Sequence, residues 1–243
     1  MIKHKKLVRY FVSLAVIVLM VGIAGWTDEK EILFPEMVAL TIGLLIIDKW
    51  VWCVKPWQIV LLMSVGAAAG ICIVRYSPLP YFINLCLAFA FAGICLLVSR
   101  TTLIPLISAC VLPVLLHTES IVYPSAVLIM CVLAVFIQKM MEKYGFRSQI
   151  IHTPGRKPTG KDVARWGILL VFVALISLLA ISLDCPYLIL PPLMVTFAEM
   201  VNSKAGFRSR PTQVFLFLAT AATLGTVFQL IGYHYLHLPE SLV

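Results

Sequence analysis

The stretch "TLIPLISACVLPVLL", residues 102–116, decides how this chain is folded. It is apolar but for its opening threonine and Ser108, carries two prolines, Pro105 and Pro113, and follows Ser99, Arg100 and Thr101. Fifteen residues fall below the roughly 17 that a membrane-spanning helix needs. If the stretch crosses a membrane, every later loop keeps its side; if it does not, every later loop is inverted.

The rest of the chain supplies the solvent. Of 243 residues, 61% are hydrophobic and 12% charged, and mean hydropathy is +1.01. Apolar stretches recur at 7–26, 32–48, 57–75, 79–98, 102–116, 120–138, 164–183, 186–201 and 211–233. Such a composition predicts an all-α polytopic membrane protein whose main surroundings are the lipid bilayer, because lipid-exposed backbone must satisfy its own hydrogen bonds. The polar segments between the stretches are too short to build a core of their own. The whole of 1–243 therefore reads as one membrane domain, with 140–163 as a basic cytoplasmic loop.

Loop charge tests whether the three short stretches, 32–48, 102–116 and 186–201, cross. With nine crossings and the N-terminus inside, the cytoplasmic segments hold every Lys and Arg except Lys30 and Arg75. The opposite loops collect Asp28, Glu29, Glu31, Glu119, Asp184 and Glu240. That asymmetry is the positive-inside pattern. It predicts nine transmembrane segments in a cell (plasma or inner) membrane, with the C-terminus extracytoplasmic. The net charge of +8 is then mainly a topology signal, and nucleic-acid binding is not expected.

The short stretches share a punctuation. They begin Leu33-Phe34-Pro35, Leu103-Ile104-Pro105 and Leu190-Pro191-Pro192, and the next long stretches begin at Pro56, Pro124 and Pro211. Proline is tolerated in the first turn of a helix, where its missing N–H has no partner to lose. Pro35, Pro105 and Pro192 therefore mark helix starts. Pro113 lies deep in its helix, removes a backbone bond near Ala109, and should kink or end the last turn. Arg9-Tyr10 and Arg165-Trp166 each open a long helix, and Gly66-x-x-x-Gly70 matches Ala221-x-x-x-Gly225 as a close-packing pattern. The chain thus reads as three long-short-long units, about 1–78, 79–139 and 164–243, with the middle unit inverted.

"SRTTLIPLISACVLPVLL" resembles the defining region of HPP-family membrane proteins on Ser99, Arg100, Thr101, Pro105, Ala109 and Pro113. The His-Pro-Pro positions of that family read Leu103-Ile104-Pro105 here. The resemblance implies a small integral membrane protein and, from some plant and algal members, transport of nitrite or a similar small anion. A looser similarity to the membrane part of fusaric-acid-resistance exporters implies efflux of aromatic acids.

Candidate binding residues follow from cost, since ionisable groups in membrane segments are expensive. Arg100, with Thr101 and Thr102 as N-cap candidates for the short fifth helix, can hold an anion or serve as an interfacial anchor. Glu199 can couple protons or cations, or pair with the nearby basic loop. Glu36 reads as an ordinary helix cap near the outer surface. The string Gly155-x4-Gly160-Lys161 places Asp162 where a phosphate loop needs Ser or Thr, so it reads as a linker.

The seven cysteines and five histidines form no metal-ligand set, His234 and His237 lacking a third partner. No nucleophile-base pair or carboxylate dyad is present, so neither an enzyme nor a cofactor is expected. The expected function is a transporter or channel for a small solute or ion. A membrane subunit or assembly partner of another complex is the alternative, and small size leaves homo-oligomerisation open.

Overall fold

The computed structural model describes residues 2–48, 51–149, 155–202 and 210–232. Among them there are nine α-helices and no strand. These are α1 (Ile2–Thr27), α2 (Glu36–Thr41), α3 (Pro56–Tyr76), α4 (Tyr81–Ser99), α5 (Leu106–Leu116), α6 (Val122–Lys143), α7 (Gly160–Ser182), α8 (Pro191–Asn202) and α9 (Pro211–Leu230). Each falls on one of the nine apolar stretches. Six of them, α1, α3, α4, α6, α7 and α9, are long and apolar enough to cross a membrane; α2, α5 and α8 are the short ones.

The prolines act mostly as their positions require. Pro35 and Pro105 are the residues immediately before α2 and α5, while α3, α8 and α9 begin on Pro56, Pro191 and Pro211. α8 therefore starts one residue before the expected Pro192. α2 continues for five more residues as a π turn, Ile42–Ile46, closed by Ile47 N–H donating to the Ile42 carbonyl at 2.9 Å. Wider turns of this kind recur at functional sites.

Pro113 does not end α5, which runs on to Leu116 before His117 takes a left-handed conformation at φ 51°. The carbonyl that proline leaves without its helical partner is that of Ala109, four residues earlier. Tyr123 of α6 supplies the missing donor, its hydroxyl reaching the Ala109 carbonyl at 3.1 Å.

Left-handed residues punctuate the chain at Asp28 after α1, Arg100 after α4 and Asp184 after α7. Each is followed by a few irregular or 3-10 residues and then by a short helix. None is glycine, so each conformation costs about 1–2 kcal/mol. It also satisfies the open carbonyls of the helix before it, as Thr101 N–H does for Leu96 at 3.1 Å.

Polar contacts between elements mark two ends of the bundle. At one end Lys5 Nζ donates to the Gly145 carbonyl at 2.8 Å, Arg9 pairs with Asp48 at 2.6 Å, and Cys53 N–H donates to Thr102 Oγ1 at 2.9 Å. At the other end Thr118 donates to Glu31, Ser77 Oγ lies 2.6 Å from Asn84 Oδ1, and the Tyr81 ring stacks on His117 with centroids 4.8 Å apart. Helices α1 to α6 therefore alternate in direction, and 102–116 runs from the first end to the second.

The core is centred on α5. Every residue from Leu106 to Val114 is buried, against α3, α4 and α8. Close approach of α3 depends on glycine: a Cβ on Gly70 would overlap the Cys110 carbonyl, and one on Gly66 would come within 2.5 Å of Leu106 Cδ1. The outer faces of the long helices carry large exposed apolar side chains such as Phe11, Leu61, Ile129 and Phe172. α9 buries no residue at all.

Candidate functional site

Two buried polar assemblies stand out, one inside the bundle and one at its first end. The inner one lies where α2 meets α5. Glu36, in the first turn of α2, is 5% exposed, and Ser108, in the first turn of α5, is fully buried. Ser108 Oγ donates to Glu36 Oε1, and Oε2 of the same carboxyl is buried without a partner. Tyr123 lies alongside, fully buried, with Phe34 edge-on to its ring at 6.3 Å. Glu36, expected as an ordinary helix cap near the outer surface, thus stands in the first turn of α2 but is buried. The apolar stretch around it is folded inward as a whole, and the first turn of α2 goes with it.

The second assembly closes the other end of α2. The last carbonyls of a helix have no intrahelical donors and carry its negative dipole, and here two arginines meet them. Arg9 of α1 donates from Nε to the Leu45 carbonyl at 2.6 Å, from Nη2 to Ile46, and from Nη1 to Asp48. Arg147, on the segment after α6, donates from Nη2 to the Ile47 carbonyl at 2.7 Å and to Gly43 at 3.3 Å. Both guanidiniums are buried. Burial lowers the Arg147 pKa to about 10; Glu142 and Asp48 oppose the shift and Arg9 adds to it. The arrangement clamps α1, α2 and the α6–α7 connection together.

The residues singled out from sequence lie near this clamp. Arg100 is exposed, in the left-handed position after α4, and makes no side-chain hydrogen bond or ion pair among the described residues. Thr101 is buried and shares a hydrogen bond with Ser99 at 2.9 Å. Thr102 accepts from Cys53 N–H. Neither threonine caps α5, because Pro105 stands at that position and the N–H groups of Leu106 and Ile107 already donate to Leu103 and Ile104. Glu199 of α8 faces the Trp52 indole, whose Nε1 reaches no acceptor at hydrogen-bonding geometry. Trp52 packs over Gly43 in the π turn of α2, so the 51–55 loop joins Thr102, Glu199 and the end of α2.

Other residues weighed in the sequence are placed as follows. Asp162 caps α7: its carboxylate accepts from Thr159 N–H at 2.8 Å and Oγ1 at 2.7 Å, and pairs with Arg156 at 2.9 Å. Its place in the glycine-lysine string is therefore a capping box. Cys110 and Cys131 are buried, and all described cysteines are free thiols. Among the described residues no three His, Cys, Asp or Glu side chains gather as a metal site. Lys49, His152, Lys204, Arg208, His234 and His237 lie outside the described residues. A shallow groove between α7 and α8 is lined by Val173, Ile176, Leu188, Leu193, Met194 and Phe197, with no polar side chain.

Sequence reasoning missed Glu36, Ser108, Tyr123 and Arg147. A carboxylate inside an apolar stretch was the available signal for the first; the others became visible only once distant segments were brought together. No protein-family model, curated protein or solved structure matches the chain.

Proposed function

We propose that this chain crosses a cell membrane nine times, N-terminus inside, and moves a small solute across it. The observation that carries the reading is α5. Its 11 residues cover about 16 Å at about 1.5 Å per residue, roughly half of a hydrocarbon core of about 30 Å. Yet it is enclosed by protein from Leu106 to Val114 and lies beside a buried carboxyl. Short helices wrapped by longer ones are a recurrent way to place polar backbone and side chains at membrane depth, because only protein or a water-filled cavity can receive them there. The left-handed residue before each short helix supports three related units with the middle one inverted. Asp28 and Asp184 stand the same distance apart in the chain as Arg9 and Arg165.

The substrate class proposed is a small anion, of the nitrite or short-carboxylate type. Arg100 supports it: the residue is exposed in the segment before α5 and makes no side-chain hydrogen bond or ion pair among the described residues, and a guanidinium is suited to an oxyanion. The test is flux into proteoliposomes holding the purified full chain, with nitrite, nitrate, formate and an aromatic acid offered in turn. Saturable uptake of one of the small anions, lost in Arg100→Ala at unchanged thermal stability, is the expected result. No flux above protein-free vesicles for any solute would overturn the transport reading; unchanged flux in the variant would remove Arg100 from it. Preference for the aromatic acid would move the substrate class.

A second reading is favoured by one observation. α9 is a largely apolar helix of 20 residues and buries none of them, which is what a membrane subunit awaiting a neighbour presents. Co-purification of a stoichiometric partner that is released by substitutions on α9 would decide for it.

A further inference from the structure

We propose that Glu36 is an intramembrane proton-binding site, assembled where α2 and α5 meet. The ligand is a proton, held reversibly on the Glu36 carboxyl with Ser108 as its hydrogen-bonding partner.

The argument is one of donors and charges. A carboxylate offers about four lone-pair sites, and this one receives a single side-chain donor, Ser108 Oγ, while Oε2 is buried with nothing to accept from. The ion pairs formed between described residues are Arg9–Asp48, Arg156–Asp162 and Arg165–Asp162, and none includes Glu36. From α6 the titratable groups on this side are Tyr123 and Cys131, and from α5 Cys110. All three are neutral or, if ionised, negative, so none offsets a carboxylate charge. The next carboxyl along the chain, Glu31, is already bonded by Thr118. The buried stripe of α1 contributes Val16, Met20 and Ala24, and its one cation, Arg9, is committed to the opposite end of α2. A charge met only by Ser108 Oγ and the residue's own backbone N–H in such surroundings is heavily penalised, whereas a neutral acid carries no charge to compensate.

Two helix irregularities lie next to the site. α2 ends in a π turn and α5 contains Pro113, so both short helices carry a built-in irregularity within three turns of the carboxyl. Separation of α2 from α5 would remove Ser108, admit water and release the proton as hydronium, leaving the carboxylate solvated. Rejoining requires the carboxylate to take a proton from water first. Use of this site for coupling rests on the transport reading above; occupancy by a proton does not.

The experiment treats the full chain, in detergent and in lipid vesicles, with dicyclohexylcarbodiimide, which enters apolar interiors and modifies carboxyls in their protonated form. Mass spectrometry locates the adduct. The expected result is modification at Glu36 at neutral pH, declining in alkaline buffer and absent in Glu36→Gln. Ser108→Ala should shift the pH at which modification declines. In case Glu36→Gln fails to fold, the carboxylic-acid carbonyl band in the infrared spectrum of the unmodified chain, followed across the same pH series, is the second readout. An unmodified Glu36 together with no carboxylic-acid band titrating in this series would overturn the proposal. Modification that is the same at all pH values, with a band that never titrates, would also overturn it, because the proton would not be reversibly held. If proton occupancy is found but pH gradients leave solute flux unchanged, the coupling role fails and the site stands.

Discussion

Gly70→Ala is the sharpest test of the packing around α5. The added Cβ would overlap the Cys110 carbonyl and sit 3.0 Å from Pro113 Cγ and 3.2 Å from the Cys110 carbonyl carbon. These are backbone and ring atoms of a buried helix, and they cannot rotate away. The two helices must move apart, an overpacking cost at the upper end of about 1–3 kcal/mol. Alanine returns about 1 kcal/mol of helix propensity over glycine, leaving a net loss of about 2 kcal/mol. For a chain of this size that is a fall of about 4–8 °C in Tm. Gly66→Ala meets Leu106 Cδ1 at 2.5 Å, the end of a side chain that can turn, so cost and propensity gain nearly cancel. Gly225→Ala in α9 meets nothing within 4 Å and should be neutral or raise Tm slightly. Melting followed with a thiol-reactive fluorogenic maleimide suits the question, since Cys110 and Cys131 are buried until the bundle opens. A Gly70→Ala protein that melts with the unmodified chain, or no earlier than Gly66→Ala, would refute close contact between α3 and α5.

Two further outcomes separate buried from exposed charge. Arg9→Ala leaves the Leu45 and Ile46 carbonyls without their donor, a loss of about 1–3 kcal/mol for a buried acceptor, while the half-exposed Asp48 returns to water at little cost. Arg156→Ala removes an exposed pair with Asp162 and should cost much less, because water screens the pair; denaturant titration of both variants checks the order. Asp162→Ser completes the glycine-lysine-serine string of a phosphate loop yet should bring no ATP-dependent rise in Tm. It should lower stability through the weakened cap of α7, and a nucleotide-dependent shift would contradict the capping role.

The helices were legible in the sequence because their signals are local. Apolar length and proline position place all nine, and the Ala109 carbonyl freed by Pro113 follows from one residue's chemistry. What was not legible depends on segments far apart in the chain. Tyr123 takes up the freed carbonyl only because α6 turns back along α5. Arg147 and Arg9, 138 residues apart, meet at the end of α2, and neither has any local mark of that role. Glu36 looks like a surface cap when only its neighbours are read, since Glu29 and Glu31 are close by; Ser108, 72 residues on, makes it an interior group. Thr101 and Thr102 show the opposite error. Their type and position suit capping, but Cys53 and Ser99 reach their hydroxyls first.

The burial of α5 also bears on how the chain is made. An 11-residue helix holds too little apolar length to settle stably in lipid by itself. Its principal walls, α3 and α4, precede it in the sequence and therefore leave the ribosome and enter the bilayer earlier. When α5 emerges it has a protein surface to receive it, and α6 follows to close Tyr123 over its open carbonyl. The order of synthesis thus presents the main walls of α5 before α5 itself, so that this short helix need not face lipid alone.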